Sequence, residues 1–223
     1  MSIASPVALV FDWDNTLVDA SGGIVAALNA VFAQFGKPGW TVQQGRERIR
    51  GSMRDSFPPL FGDDWEAAVA AFGPAMQRVH LDHVTELAGT AAMLDVARGW
   101  PLAVVSNKAG SFLRREVEHL GWGGRFGAVV GAGDCAADKP HPAPLWHALA
   151  TIGVQPGAAV WYIGDTALDM QTAHAAGCTA VLLGDAAHDG GLALMQGSEC
   201  APGLRFADAG ALAEFLKENL RTG

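Results

Sequence analysis

The residues in this sequence best suited to chemistry are Asp12, Asp14 and Thr16, which follow the apolar run at residues 7–11. A short, valine-containing apolar run is typical of a buried strand, and ligands of open α/β sheets bind beyond the carboxyl ends of strands. Carboxylates this close in a buried crevice repel each other unless a cation binds them or one of them holds a proton. A nucleophilic carboxylate, a second carboxylate for proton transfer and a hydroxyl donor would suit phosphoryl transfer. Either aspartate could instead cap a helix.

Ser106, Asn107 and Lys139 are a second group of candidates. The serine and asparagine follow the apolar residues 102–105, and the lysine precedes Pro140 at the start of a predicted helix. A hydroxyl and free backbone amides at a strand end can bind phosphate oxygens, and an ammonium group can neutralise a phosphate or an aspartate. Taken alone, the Ser-Asn pair also fits a turn or a helix cap, and the lysine also fits a solvated surface position.

Asp165 and Asp169 form a third group, directly after the apolar residues 159–163. Side chains four residues apart on a helix face the same side. Two carboxylates near the first turn could therefore bind a hard cation such as Mg²⁺, which prefers oxygen ligands. The alternative is a helix cap followed by an acidic residue that interacts favourably with the helix dipole.

The order of the predicted elements indicates the fold class. Strand-like runs alternate with helical segments, which is typical of an α/β protein with a doubly wound, Rossmann-like parallel sheet. These runs lie at residues 7–11, 102–106, 128–130, 159–163 and 179–183. Residues 42–87 stay helical in character and are punctuated by Pro58, Pro59 and Pro74, which predicts a block of helices inserted after the first strand. Residues 184–203 are rich in glycine and alanine and are predicted to be mainly loop.

Composition excludes several classes of function. The 223 residues are 50% hydrophobic and 17% charged, which favours a well-packed globular protein. A net charge of -8 and the absence of a Lys/Arg cluster argue against nucleic-acid binding. No apolar run is long enough for a membrane span, and the apolar start is too short for a signal peptide. We therefore expect a cytoplasmic protein with no membrane partner, either a monomer or a homodimer. The three cysteines predict neither a disulfide nor a zinc site.

Together, the motifs resemble those of the haloacid dehalogenase superfamily of phosphohydrolases. They appear as Asp12-Trp13-Asp14-Asn15-Thr16, Ser106, Lys139-Pro140, and Gly164-Asp165 with Asp169. The resemblance covers essentially the whole chain and is greatest to the phosphoglycolate-phosphatase-like branch. It implies a catalytic core of residues 1–17 and 89–223, with residues 18–88 inserted as a helical cap domain. Asn15 stands where many relatives carry glycine, and Trp13 stands where many carry an aliphatic residue. Asparagine tolerates unusual backbone angles.

The resemblance also implies roles for individual residues. Asp12 is expected to be the nucleophile, and Asp14 the general acid and base. The residues expected to bind phosphoryl oxygens are Thr16, Ser106, Asn107 and Lys139. Asn107 would contribute through backbone amides near it, and Lys139 would also hold Asp12 in place. The residues expected at the Mg²⁺ site are Asp12 and Asp165 through their side chains, Asp14 through its carbonyl oxygen, and Asp169, which would mainly orient metal-bound water or Lys139.

The implied activity is Mg²⁺-dependent hydrolysis of a small phosphorylated metabolite, phosphoglycolate-like or a sugar phosphate, through an aspartyl phosphate. Arg50 and Arg54 flank a glycine of the helical block and are the preferred candidates for binding a second anionic group of the substrate, although they also fit a solvated helix face. Two alternatives stay open. A phosphosugar mutase of the same superfamily uses the same first pair of aspartates, and a non-catalytic binding or regulatory protein can share the fold.

Overall fold

The computed structural model describes residues 5–49, 53–186, 191–195 and 199–220. The chain divides into two compact units, one formed by Met1–Val18 with Glu86–Gly223 and the other by Asp19–Thr85. Within the described ranges, no helix combines the length and the apolar character needed to cross a membrane.

A six-stranded parallel sheet forms the centre of the first unit. The strands of the chain are β1 (Ala8–Phe11), β2 (Val18–Asp19), β3 (Thr85–Glu86), β4 (Leu102–Ala109), β5 (Ala128–Ala132), β6 (Val160–Gly164), β7 (Thr179–Leu183) and β8 (Leu204–Phe206). The sheet order is β5-β4-β1-β6-β7-β8, and β2 pairs separately with β3. The predicted α/β class with a parallel sheet is confirmed. Strand β8 was not predicted from the sequence, because three residues with a central arginine form no apolar run.

Helices connect these strands and form most of the second unit. They are α1 (Ser21–Gln34), α2 (Val42–Arg48), α3 (Met53–Phe61), α4 (Trp65–His83), α5 (Thr90–Ala97), α6 (Gly110–His119), α7 (Ala143–Thr151), α8 (Ala167–Ala175), α9 (Leu192–Met195) and α10 (Ala209–Leu220). A 3₁₀ turn, Gly62–Asp64, separates α3 from α4.

Both faces of the sheet are covered, so its central strands have few exposed side chains. All four residues of β1 are fully buried. On one face, Tyr162 of β6 belongs to a core cluster with Leu145 of α7 and Met170 of α8. The neighbouring residue Trp161 points to the other face, where its ring centroid lies 5.7 Å from that of Phe215 in α10. This two-sided burial explains why the central strands are continuous apolar runs rather than alternating ones.

The register of the sheet brings three strand ends to one edge. Phe11, the last residue of β1, lies opposite Val104 of β4 and Ile163 of β6. From β1 the sheet continues through β4 and β5 on one side and through β6, β7 and β8 on the other. Ligands of doubly wound sheets bind at such a change of direction, beyond the carboxyl ends of the strands. The residues that follow β1, and those near the ends of β4 and β6, therefore share one edge.

The second unit, Asp19–Thr85, is mainly helical. Helix α1 packs against α4, and aromatic rings from several helices fill the space between them, including Phe32 and Phe61, whose centroids are 5.5 Å apart. Two of the prolines that punctuate this block in the sequence lie inside helices, Pro58 in α3 and Pro74 in α4. Buried side chains near each proline hold the helices in place, so tertiary packing outweighs the local cost of proline.

A close backbone approach at Gly131 gives a stability prediction. A Cβ on this β5 residue would lie 2.6 Å from the carbonyl oxygen of Lys108 and 2.6 Å from the amide nitrogen of Gly110. We expect Gly131→Ala to lower the free energy of unfolding by about 1–3 kcal/mol, because backbone atoms must shift to admit the methyl group. Gly157→Ala is the matched control, because no atom of the described residues lies within 4 Å of its added Cβ. Equal urea midpoints for the two variants would contradict the prediction.

Candidate active site

The centre of the candidate site is a buried lysine between two aspartates. The Nζ atom of Lys139 lies 2.8 Å from Asp12 Oδ1 and 2.7 Å from Asp169 Oδ1, and the side chains are 3%, 10% and 0% exposed respectively. Burial lowers the pKa of Lys139, but the neighbouring Asp12 and Asp169 outweigh this and raise it well above its usual value. The lysine is therefore a cation that neutralises one carboxylate at the end of β1 and one in the first turn of α8.

Asp169 is fixed in place by the start of helix α8. Its Oδ2 accepts hydrogen bonds from the backbone amide and the hydroxyl of Thr166, at 3.1 and 2.6 Å, in a capping box. Burial raises the pKa of Asp169, but Lys139 and Thr166 outweigh this and lower it below its usual value. Asp169 thus belongs to the helix cap through Oδ2 and binds Lys139 through Oδ1.

Tyr162 is a contributor that the sequence analysis did not single out. Its hydroxyl lies 2.9 Å from the carbonyl oxygen of Val105 and 3.2 Å from Asp169 Oδ1. Its ring centroid is 5.7 Å from Lys139 Nζ. Burial raises the pKa of Tyr162 well above its usual value, so the phenol stays neutral. It is the only tyrosine in the chain, and a hydroxyl in a buried strand needs a hydrogen-bond partner, which was the available clue.

Asp165 lies beside this group, and both of its carboxylate oxygens are in the buried part of the site. Its Oδ1 accepts a hydrogen bond from the Thr16 hydroxyl at 3.0 Å, whereas Oδ2 is buried without a hydrogen-bond partner among the described residues. Burial, with Asp169 and Asp12 nearby, raises the pKa of Asp165 well above its usual value. Thr16, expected to bind a phosphoryl oxygen, instead donates its hydroxyl to Asp165, so we reassign it to orienting that carboxylate.

The carboxylates of Asp12, Asp165 and Asp169 fit a divalent cation. Each offers an oxygen, and these oxygens all lie within 4.8 Å of one another. Burial also raises the pKa of Asp12 to about 6 despite the contact with Lys139. Since Lys139 supplies a single positive charge, ionisation of all three carboxylates leaves excess negative charge that a hard cation would neutralise. Both Asp169 oxygens already accept hydrogen bonds, which favours Asp12 and Asp165 as the side-chain ligands.

Asp14 is held by a different lysine. Lys108 Nζ lies 2.8 Å from Asp14 Oδ1, and the Asp14 side chain is 24% exposed. The resemblance implies that Asp14 contributes to a cation site through its backbone carbonyl, which the contact of Oδ1 with Lys108 leaves free to do so. The intervening residue Asn15 has a φ of 60°, a left-handed conformation that asparagine adopts more readily than most residues. Lys108 was not among the predicted site residues, although it directly follows the predicted pair Ser106 and Asn107.

Ser106 and Asn107 lie near the end of β4, beside these groups. The Asn107 side chain accepts a hydrogen bond from the Lys139 amide at 2.9 Å and donates one to the Lys139 carbonyl at 3.1 Å. The buried Ser106 hydroxyl accepts a hydrogen bond from the amide of Lys108 at 3.2 Å. The Asn107 side chain therefore positions Lys139, and only its backbone stays a candidate for binding phosphate.

The arginines predicted to bind the substrate are only partly covered by the structure. Arg50 lies outside the described residues, and Arg54 lies in α3, although its side chain is outside the description. Two neighbouring arginines interact within the helical unit. Arg46 forms a 2.6 Å ion pair with Asp19, and Arg48 lies over the Trp40 ring at 5.1 Å.

Comparison with known proteins identifies the family. A model described as haloacid dehalogenase-like hydrolase matches residues 9–183. The chain belongs to the haloacid dehalogenase-like hydrolase family. This confirms the membership that the motifs predicted, and the matched region contains every aspartate and lysine of the candidate site. The protein is accordingly a hydrolase of this family.

Similar proteins place the chain in the predicted phosphoglycolate-phosphatase-like branch of the haloacid dehalogenase-like hydrolases. A phosphoglycolate phosphatase of Xylella fastidiosa is 34% identical over 190 residues, which cover 78% of each chain. A phosphoglycolate phosphatase of Chromobacterium violaceum is 29% identical over 199 residues, 82% of this chain and 87% of the relative. A haloacid dehalogenase-like hydrolase from Streptococcus pneumoniae has a TM-score of 0.80 at 24% identity, covering 94% of this chain and 98% of its own, and supports the fold.

The unpartnered oxygen of Asp165 gives a metal-binding prediction. At a Mg²⁺ concentration one hundred times its Kd, we expect the wild type to be stabilised by about 2.7 kcal/mol, because the cation binds only the folded site. Asp165→Asn removes a ligand charge and should lose most of this stabilisation, whereas the control Asp82→Asn, at an exposed position of α4, should keep it. Thermal unfolding with and without Mg²⁺ measures the effect. Equal stabilisation of the wild type and Asp165→Asn would contradict the assignment.

Proposed function

We propose that this hydrolase is a Mg²⁺-dependent phosphatase that transfers a phosphoryl group from a small phosphorylated metabolite to Asp12 and then to water. The observation that carries the proposal is the buried contact between Lys139 and Asp12, in a cluster with Asp165 and Asp169 whose carboxylate oxygens lie close enough together to hold a cation. The lysine allows an anionic carboxylate to approach an anionic phosphate, because it neutralises charge on the nucleophile's side. The named relatives are consistent with phosphoric monoester hydrolysis.

The proposed reaction has two steps, transfer of the phosphoryl group to Asp12 and its transfer from Asp12 to water. An Asp12 carboxylate oxygen forms a bond to phosphorus while the bond from phosphorus to the leaving oxygen breaks, and Asp14 donates a proton to that oxygen. Asp14 then accepts a proton from a water molecule as the water oxygen attacks phosphorus. The bond from Asp12 to phosphorus breaks, inorganic phosphate is released, and both aspartates return to their starting forms.

The residues that would hold Mg²⁺ are Asp12 and Asp165 through their side chains and Asp14 through its carbonyl oxygen. When bound, the cation supplies positive charge that stabilises the developing negative charge on the phosphoryl oxygens. Asp169 and Tyr162 keep the Lys139 ammonium in place. Ser106 and the backbone near Asn107 supply donors for the phosphoryl oxygens.

A phosphoglycolate-like substrate is the preferred class because the named relatives are phosphoglycolate phosphatases. The helical unit would then act as the cap that selects the leaving group, with Arg50 and Arg54 binding the substrate carboxylate. These assignments, the cytoplasmic location and the choice between monomer and homodimer stay predictions.

Removal of the nucleophile tests the proposal. We expect the wild type to release inorganic phosphate from 2-phosphoglycolate and from an aryl phosphate when Mg²⁺ is present, and to stop when the metal is chelated. Asp12→Asn keeps the size of the side chain but removes the nucleophilic charge, so kcat/KM for both esters should fall by at least about 1,000-fold. A colorimetric phosphate assay measures this.

Asp82→Asn serves as the control and should keep full activity. Undiminished hydrolysis by Asp12→Asn, or wild-type turnover that continues without a divalent cation, would contradict the mechanism. With a sugar phosphate as substrate, an isomeric sugar phosphate instead of inorganic phosphate would favour the mutase alternative.

A further inference from the structure

We propose that Lys108 is a positioning residue that fixes the carboxylate of Asp14 for proton transfer to the leaving oxygen, and that Glu116 and Trp13 hold Lys108 in that position. This inference rests on the proposed function, because it concerns how the general acid of that reaction is oriented. Lys108 itself does not touch the substrate in this account.

The geometry places Lys108 between two carboxylates. Its Nζ lies 2.8 Å from Asp14 Oδ1 and 2.6 Å from Glu116 Oε2, and its side chain is only 5% exposed. A lysine that merely improved solubility would extend into water, since its flexible stem carries a strongly hydrated charge. All of these residues belong to the same compact unit of the chain.

Glu116 gives Lys108 a fixed anchor. This α6 residue is fully buried, and its Oε2 also accepts a hydrogen bond from the indole nitrogen of Trp13 at 2.8 Å. The Trp13 ring packs edge-on against Trp122, with centroids 5.8 Å apart. Trp13 lies between Asp12 and Asp14 in the sequence. Its indole hydrogen bond therefore links this segment to Glu116, the same carboxylate that binds Lys108.

Stability alone is a weak explanation for this arrangement. Buried ion pairs can often be replaced by well-packed apolar residues without loss of stability. Here, however, the chain of contacts ends at Asp14, which is the partly exposed member at 24%. Lys108 binds Oδ1, so we assign the transferred proton to Oδ2. A carboxylate held on one side retains one orientation, whereas a free aspartate would rotate about χ1 and χ2.

This role predicts dependence on the leaving group. Departure of an alkoxide, as from an alkyl phosphate, requires a proton from Asp14, whereas a nitrophenolate departs readily without one. The parameter kcat/KM reports the steps up to and including cleavage of the bond between phosphorus and the leaving oxygen. A poorly oriented Asp14 therefore lowers kcat/KM for an alkyl phosphate far more than for p-nitrophenyl phosphate.

The experiment uses a charge-balanced variant, Lys108→Met/Glu116→Gln, which removes the cation without stranding a buried carboxylate and keeps an acceptor for Trp13. Glu116→Gln alone retains Lys108, and Lys217→Met removes an exposed lysine that pairs with Glu214. Each is assayed with Mg²⁺ on 2-phosphoglycolate and p-nitrophenyl phosphate. The ratio of the two kcat/KM values does not depend on how much of the enzyme is folded.

We expect the double variant to lose about 100-fold in kcat/KM on the alkyl ester and less than about 10-fold on the aryl ester, in line with general acid catalysis. Glu116→Gln should change the ratio by less than about 10-fold, and Lys217→Met should leave it unchanged. Equal losses on both esters, or no loss, would overturn the role of Lys108.

Lys108→Gln provides a second variant for the same ratio if the double variant does not fold. If neither folds, as judged by circular dichroism, Lys108 is a structural residue and the inference is overturned. A wild type inactive on both esters would overturn the proposed function itself. An active wild type whose ratio survives the loss of Lys108 would overturn only this inference.

Discussion

The site depends on one interaction, the pair of ionic contacts that the Lys139 ammonium group makes with Asp12 and Asp169. It lies within 2.8 Å of one carboxylate and 2.7 Å of the other in a nearly solvent-free environment. Breaking such a buried pair by removing one partner typically costs about 3–5 kcal/mol, because the remaining charge is left without compensation. The ion pairs therefore hold Asp12, Lys139 and Asp169 in place relative to one another. The excess negative charge of the three carboxylates makes a bound cation favourable.

The parallel sheet is what brings these charges together. The register that sets Phe11 opposite Val104 and Ile163 places the ends of three strands at one edge. Asp12 follows the first of these strands and Asp165 the last. The capping of α8 by Asp169 then uses one carboxylate for two purposes, so the start of the helix and the position of Lys139 depend on each other.

Much of this arrangement could be predicted from the sequence, because strand ends in a doubly wound sheet share an edge and their polar residues are few. The structure brings together Asp12, Lys139, Asp165 and Asp169, all of which the motifs singled out. Contacts that depend on side-chain direction could not be predicted. Thr16 donates to Asp165 and the Asn107 side chain binds the Lys139 backbone, and neither spacing nor residue type distinguishes these contacts from phosphate binding.

The residues that were missed share a physical cause. Tyr162 lies in an apolar strand and Glu116 in a helix rich in charged residues, so neither side chain stands out in the sequence until its partners in the folded chain are known. The short strand β8 was missed for a related reason. It has no apolar run of its own, and its pairing with β7 makes it part of the sheet. Pro74 lies inside α4 because packing against α1 outweighs local preference.

The central claim is that phosphate leaves in two steps through a covalent bond to Asp12. The stereochemical course at phosphorus tests it most directly, using a phosphorothioate ester that carries two different oxygen isotopes and is hydrolysed in water of the third isotope, so that the released inorganic thiophosphate is itself chiral. Each in-line displacement inverts the configuration, so transfer to Asp12 followed by transfer to water predicts net retention. Net inversion would show that water attacks the substrate directly and would contradict the account.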